Sequence, residues 1–252
     1  MKKTPLPLYK VLIYTSLGIL GVFLVWEIIS LCLHTTLFPG LEVIFPRFFL
    51  LFTELTTYEA IGGTVLRLLI SIAICLLVGF LFGVLGGVFE RFRVFFRPFV
   101  TFLRTVPTAM IIFLLIVLVK PLFSPIIIVF LVTFPIMYDA VVSGFLSIDK
   151  DLIDATKVDG GKLIPAIFKV YIPLSKEYIL LGLVQILGLG MKVSLMAEIL
   201  TGSNSLSGIG REIYEASILG DVTHIVCYSL FAVIIIALTD LGLYFAKKRL
   251  TK

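Results

Sequence analysis

The chain has 252 residues, 60% of them hydrophobic and 15% charged, with a formal net charge of +5. A water-soluble domain carries about 25% charged and about 45–50% apolar residues, so an ordinary soluble fold is excluded and lipid is the solvent for most of the chain. The basic excess is spread along the sequence rather than gathered in a patch, which excludes a nucleic-acid surface.

A spanning helix needs about 20 apolar residues. The first such run, 11–33, holds one charge, Glu27. It is too long for the apolar core of a signal peptide and no small-residue cleavage site follows it, so it is expected to be a retained span. Residues 34–63 contain "LFPGLEVIFPRFFLLF", apolar but broken by prolines, and predict an interfacial or short helical element. Further runs follow at 64–89, 98–119, 122–146, 178–200 and 222–246. Pro98 stands at the start of the third span, where a missing N–H costs nothing. Pro107 and Pro135 fall inside spans and are expected to kink them. Residues 201–221 predict a Gly/Ser-rich loop and then a short helix starting at Ser207 or Gly208, with Glu212 near its positive end. Gly79, Gly83 and Gly87 recur every four residues, the spacing that lets helices approach closely; packing within the chain is the expectation. The fold class is all-α: one transmembrane domain over 1–252, with six spans, an N-terminal span and a core over about 60–246.

Lys and Arg set the orientation. Most of the 21 basic residues fall on 1–10, 90–97, 147–177 and 247–252, whereas the opposite segments hold Arg47, Lys120 and Arg211. The positive-inside rule then places both termini and the 147–177 segment in the cytoplasm.

Cys32, Cys75 and Cys227 lie in apolar runs outside any Cys-x-x-Cys spacing, and His34 and His224 stand apart. The sequence offers neither a disulfide framework nor a metal-ligand set. It also lacks Gly-x-x-x-x-Gly-Lys-[Ser/Thr], so it cannot hydrolyse nucleotide by itself. With no His-Glu-x-x-His, no paired aspartates and no Gly-x-Ser-x-Gly, a membrane-embedded enzyme is the weaker alternative. A gradient-driven transporter, expected to show inverted halves with broken helices, is the other.

The charged island "DLIDATKVDGGKLIPAIFKVYIPLSKEY" (151–178) separates two apolar runs. Asp151 and Asp154 open a short helix that Gly160-Gly161 stops. A second helix begins at Lys162, with Leu163, Ala166, Ile167 and Val170 on one stripe; Pro165 is tolerated in its first turn and Pro173 ends it. Such an element, held between two spans, can transmit force to both.

This stretch resembles the "EAA" loop of permease subunits of bacterial ABC importers. Asp154-Ala155-Thr156 stands for the acidic triplet, Gly160 for the glycine and Ile172-Pro173-Leu174 for the ending. "TVLRLLISIAICLLVGFLFGVLGGV", "RPFVTFLRTVPTAMII", "FPIMYDAVVSGF" and "AEILTGSNSLSGIG" are similar in order and spacing to the nitrate/sulfonate/taurine branch. Asp154 departs from the usual Glu, Thr156 from Ala, and "LVKPLFSPI" lacks that branch's Trp-Phe-Gly. The resemblance implies an ATP-driven importer subunit in the bacterial inner membrane, itself non-catalytic, that works with two cytoplasmic ATPases, a second permease copy and an extracytoplasmic binding protein. ATP and Mg would sit on the ATPases and no cofactor on this chain. Asp151, Leu152, Asp154, Ala155, Thr156, Val158, Asp159, Gly160, Gly161 and Pro173 would couple to the ATPase. The 201–220 loop would face the binding protein or serve as a re-entrant cap.

A charge at the bilayer centre costs about 2.5–3.5 kcal/mol, so Glu27, Arg67, Arg104, Asp139, Lys192, Glu198 and Asp240 each need a partner or water. Arg67, Asp139 and Glu198 lie toward span ends, where snorkelling or an interface pair accounts for them. Arg104, three residues before Pro107, and Lys192, beside Gly188 and Gly190, lie deeper. Each either lines a solvated path or forms an internal salt bridge; a path lined by them would suit an anionic or polar substrate.

Overall fold

The computed structural model describes residues 8–33, 38–153, 162–202 and 207–250, without the side chains of 8, 11, 12, 240 and 243–250. Helix α1 (Leu8–Leu33) is an apolar rod, and no residue of its spanning stretch is buried. It is tied down at its C-terminal end. Trp26 Nε1 donates to Pro39 O (3.1 Å), Ser30 Oγ donates to Phe38 O (3.0 Å), and Glu27 accepts the Leu41 N–H (3.0 Å). Glu27 thereby finds its partner: it neutralises the positive end of α2 (Leu41–Leu51). This α2 is the short element expected between the first two spans. It lays Ile44, Phe48 and Leu51 inward, with the Phe48 ring 4.7 Å from that of Phe231.

Helix α3 (Leu55–Val88) starts nine residues before the apolar run does. The polar opening "LTTYEAIGG" hides it from a hydropathy reading, yet Thr57 hydrogen-bonds Tyr228 (3.2 Å) and both are buried. Its 34 residues reach about 51 Å at 1.5 Å each, well beyond a hydrocarbon core of about 30 Å.

The third span, expected to kink at Pro107, is broken there outright. Its place is taken by α4 (Glu90–Thr105) and α5 (Thr108–Leu118), which meet at 95°. The cause is local. A residue before proline is pushed out of the helical region, and Val106, at φ −67° and ψ 126°, is extended. Pro107 then caps α5. Pro98, expected at a helix start, lies inside α4 because that helix begins at Glu90. Helix α6 (Ser124–Leu146) passes Pro135 unbroken.

The core forms where α6 meets α3 and α8 (Lys176–Thr201). The four-residue glycine spacing is matched by residues four apart on α6: added Cβ atoms at Gly79, Gly83 and Gly87 would lie 3.0, 2.7 and 2.8 Å from Met137, Val141 and Phe145. The two backbones touch along this seam, as expected of packing within one chain. In lipid, where no water drives apolar faces together, such close van der Waals contact is what holds helices.

Helix α7 (Leu163–Leu174) carries a π-helical turn at Ile167–Tyr171. The wide turn precedes Pro173, whose missing N–H would otherwise break the ladder, so the helix runs one residue past that proline. Ser175, fully buried, joins it to α8 through its N–H on Tyr171 O (3.0 Å). Gly202 ends α8 in the left-handed conformation (φ 53°). Helices α9 (Ile209–Leu219) and α10 (Val222–Leu250) complete the chain.

Candidate functional site

Candidate side chains gather at the two ends of the bundle. At the end formed by Gly86–Arg93, Phe145–Ile153 and α7, the described part of the island packs one face against the bundle. Asp149 Oδ1 accepts the Asp151 N–H (3.1 Å), capping the short helical turn at 150–153. Ile148 and Tyr171 are buried, the latter with its ring 5.1 Å from that of Phe145. Ala166, Ile167 and Val170 of the expected stripe lie against the core, whereas Leu163 is exposed. A cleft of about 430 Å³ remains beneath, lined by Glu90, Arg93, Phe145, Lys150, Ile153 and Tyr171 among others. Asp151, Leu152 and Pro173 are exposed on this element. Asp154, Ala155, Thr156, Val158, Asp159, Gly160 and Gly161 lie outside the described residues.

The opposite end holds a buried polar network. Arg67 donates through Nε (3.0 Å) and Nη2 (2.7 Å) to Glu198 Oε1, and through Nη2 to Ser207 O (2.6 Å). The other carboxylate oxygen accepts from Thr64 Oγ1 (2.7 Å) and Gly210 N–H (3.1 Å), while Thr64 accepts the Ile209 N–H (2.9 Å). Arg67, Thr64 and Glu198 are all buried. Snorkelling to an interface, one of the readings offered for Arg67 and Glu198, does not describe them; they are each other's partner, 131 positions apart. The acid sits at the N-terminus of α9, where negative charge is favoured. The glycines of "TGSNSLSGIG" explain themselves here: a Cβ on Gly208 would collide with the Arg67 and Glu198 side chains, and one on Gly210 would lie 2.9 Å from the Ile199 nitrogen. Thr64 carries no signal that sequence reasoning could have used.

Between the ends, Arg104 pairs with Asp139 of α6, so the ion-pair alternative holds for Arg104. The pair is accessible, at 59% and 35% of its side-chain surfaces. Pro107 marks the hinge two residues past α4. Lys192 has no hydrogen-bonding or ionic partner among the described residues. It lies on a stripe of α8 with Gln185, Leu189 and Met196 that is exposed throughout. A lysine and a glutamine in mid-span, on a face that no described part of the chain covers, are poor lipid neighbours.

Known proteins resemble this chain in sequence and in fold. Residues 76–252 match the family model for the binding-protein-dependent transport system inner membrane component. Probable ABC transporter permease proteins of Brucella melitensis and Brucella abortus are each 31% identical over 185 residues, covering 73% of this chain and 72% and 71% of theirs. Among solved structures, the inward-facing MetNI methionine ABC transporter aligns with a TM-score of 0.68 at 17% identity, over 78% of this chain and 97% of that one. A bacterial ABC transporter involved in alginate import aligns at 0.65 and 18% identity, over 96% of each chain. The chain belongs to the binding-protein-dependent transport system inner membrane component family, the membrane-embedded subunits of ABC importers.

Proposed function

We propose that two copies of this chain form the path of an importer in a bacterial inner membrane, opened and closed by two cytoplasmic ATPases that carry the ATP and Mg. The observation that carries this reading is the island. The described residues on either side of its turn, 148–153 and 162–175, are wedged onto the foot of α6 and the start of α8 through Ile148, Tyr171 and Ser175. A pull on its exposed turn at Asp151 and Leu152 is therefore delivered to two core helices at once. The ATPase groove is read as gripping Asp151–Gly161, with Pro173 closing the element. ATPase closure would then swing α6 and α8 and switch the access of the path. Fold neighbours include an alginate importer with its periplasmic protein bound; by analogy, a binding protein here would deliver substrate at the α9 end.

The path is assigned to the uncovered α8 face carrying Lys192, together with the hinge at Arg104 and Pro107. An unpaired lysine there favours an anionic or strongly polar small solute, in line with the resemblance to the nitrate/sulfonate/taurine branch. The test is ATP-dependent uptake by vesicles holding the permease with its copurified ATPase. Ala155→Trp or Gly160→Val should leave insertion intact and abolish the link between hydrolysis and uptake; normal uptake in both would reject the lever. Lys192→Met should cut uptake with hydrolysis retained, and uptake at the native rate would reject the path assignment.

A further inference from the structure

The cleft under the charged island has a chemistry of its own. It lies where the ends of α3, α4 and α6 meet the turn at 150–153 and α7, and its volume of about 430 Å³ falls in the range of about 300–1,000 Å³ that small-molecule sites occupy. Its charges are unbalanced. Arg93 of α4 and Lys150 of the turn line it against a single acid, Glu90. Neither cation has an ion-pair partner among the described residues. Arg93 gives one N–H to Gly86 O (3.0 Å), which steadies the guanidinium and leaves its other donors unused. Glu90 sits in the first turn of α4, where the positive end of its own helix answers its charge. Asp149, the neighbour of Lys150, does not line the cleft and gives one oxygen to the Asp151 N–H (3.1 Å).

The rest of the wall is apolar. Phe145 and Tyr171, their ring centroids 5.1 Å apart, stand with Val88, Ile148 and Ile153. A cation would be repelled from such a space, and a bare inorganic anion would leave the apolar wall unfilled. A molecule that carries an acid group on an apolar body satisfies both halves, through charge-assisted hydrogen bonds on one side and ring contact on the other.

We propose that this cleft is a binding site for a small organic anion, its acid group held by Arg93 and Lys150 and its apolar body against Phe145 and Tyr171. An occupant would tie the turn that carries Asp151 and Leu152 to α4. The test is saturation-transfer NMR of the full chain in an uncharged detergent, titrated with benzenesulfonate and with benzenesulfonamide, which has the same shape and no charge. The sulfonate should bind about tenfold more tightly, the effect of hydrogen bonds to charged groups. Lys150→Gln, at an exposed position, should cut that preference to about threefold or less, and Arg93→Gln added to it should erase it. Arg91→Gln, on the same helix but outside the lining, should leave it intact. Leu146→Trp, which narrows the cleft from an exposed position, should weaken both probes. Equal binding of the two probes by the native chain would overturn the proposal. So would a preference unmoved by Lys150→Gln, one lost to the same degree in Arg91→Gln, or binding of both probes unmoved by Leu146→Trp. Displacement of the sulfonate by phosphatidylglycerol in the micelle, and not by phosphatidylcholine, would assign the cleft to a lipid headgroup and equally end it. The chain alone is titrated, so none of these outcomes bears on the coupling lever.

Discussion

Glu198→Ala is the sharpest test of the polar network at the α9 end. It removes an acceptor that serves Thr64, two N–H groups of Arg67 and the Gly210 N–H. What remains is a buried guanidinium with Ser207 O as its described acceptor, and an orphaned backbone N–H at the start of α9. Breaking a buried pair by deleting one partner costs about 3–5 kcal/mol. At about 2–4 °C per kcal/mol for a chain of this size, thermal unfolding in detergent should fall by about 10 °C. The chain supplies its own reporters. Cys75 and Cys227 are buried and Cys32 is exposed, so in a Cys32→Ser background a thiol-reactive fluorogenic dye reads unfolding directly. The double variant Glu198→Ala with Arg67→Met should be less destabilised than Glu198→Ala alone, because no charge is then left stranded. An unchanged midpoint in the single variant, or a double variant destabilised by the sum of both singles, would refute the reasoning.

Other outcomes follow from the same geometry. Gly83→Leu should abolish accumulation of folded chain, since even its first carbon would sit 2.7 Å from Val141 Cβ. Gly18→Leu in α1, where nothing lies within 4 Å, should be silent; membrane yield compares the two. Asp139→Asn should shift the unfolding midpoint by less than about 3 °C, because an accessible ion pair contributes about 0–1 kcal/mol. A shift as large as that of Glu198→Ala would contradict the exposure seen at Arg104. Glu27→Ala removes the acid that caps α2 and should cost about 1 kcal/mol, a fall of a few degrees in the same dye assay.

Much of this protein follows from composition and period. Apolar content forces the chain into lipid; an isolated backbone there must bond to itself, which leaves helices. Run length then marks the apolar runs, five of which form spanning helices among the described residues, or six with the bent pair, and the four-residue glycine spacing names the seam between α3 and α6, because a missing Cβ is visible in the sequence itself. The start of the helix at Ile209 and the short α2 were legible for the same reason: glycine, proline and charge act locally. Three things were decided only in three dimensions. Pro107 announced a disturbance, but its size, 95° rather than a gentle kink, was read only from the extended Val106 in the structure. The nine residues that open α3, with Thr56, Thr57, Tyr58 and Glu59 among them, join the bundle where Thr57 meets Tyr228, a neighbour 171 positions away. Arg67 and Glu198 looked like two separate span-end charges. Which buried charge answers which is a matter of Coulomb energy at contact distance, and contact between residues 131 apart is made by the fold, not by the order of the letters.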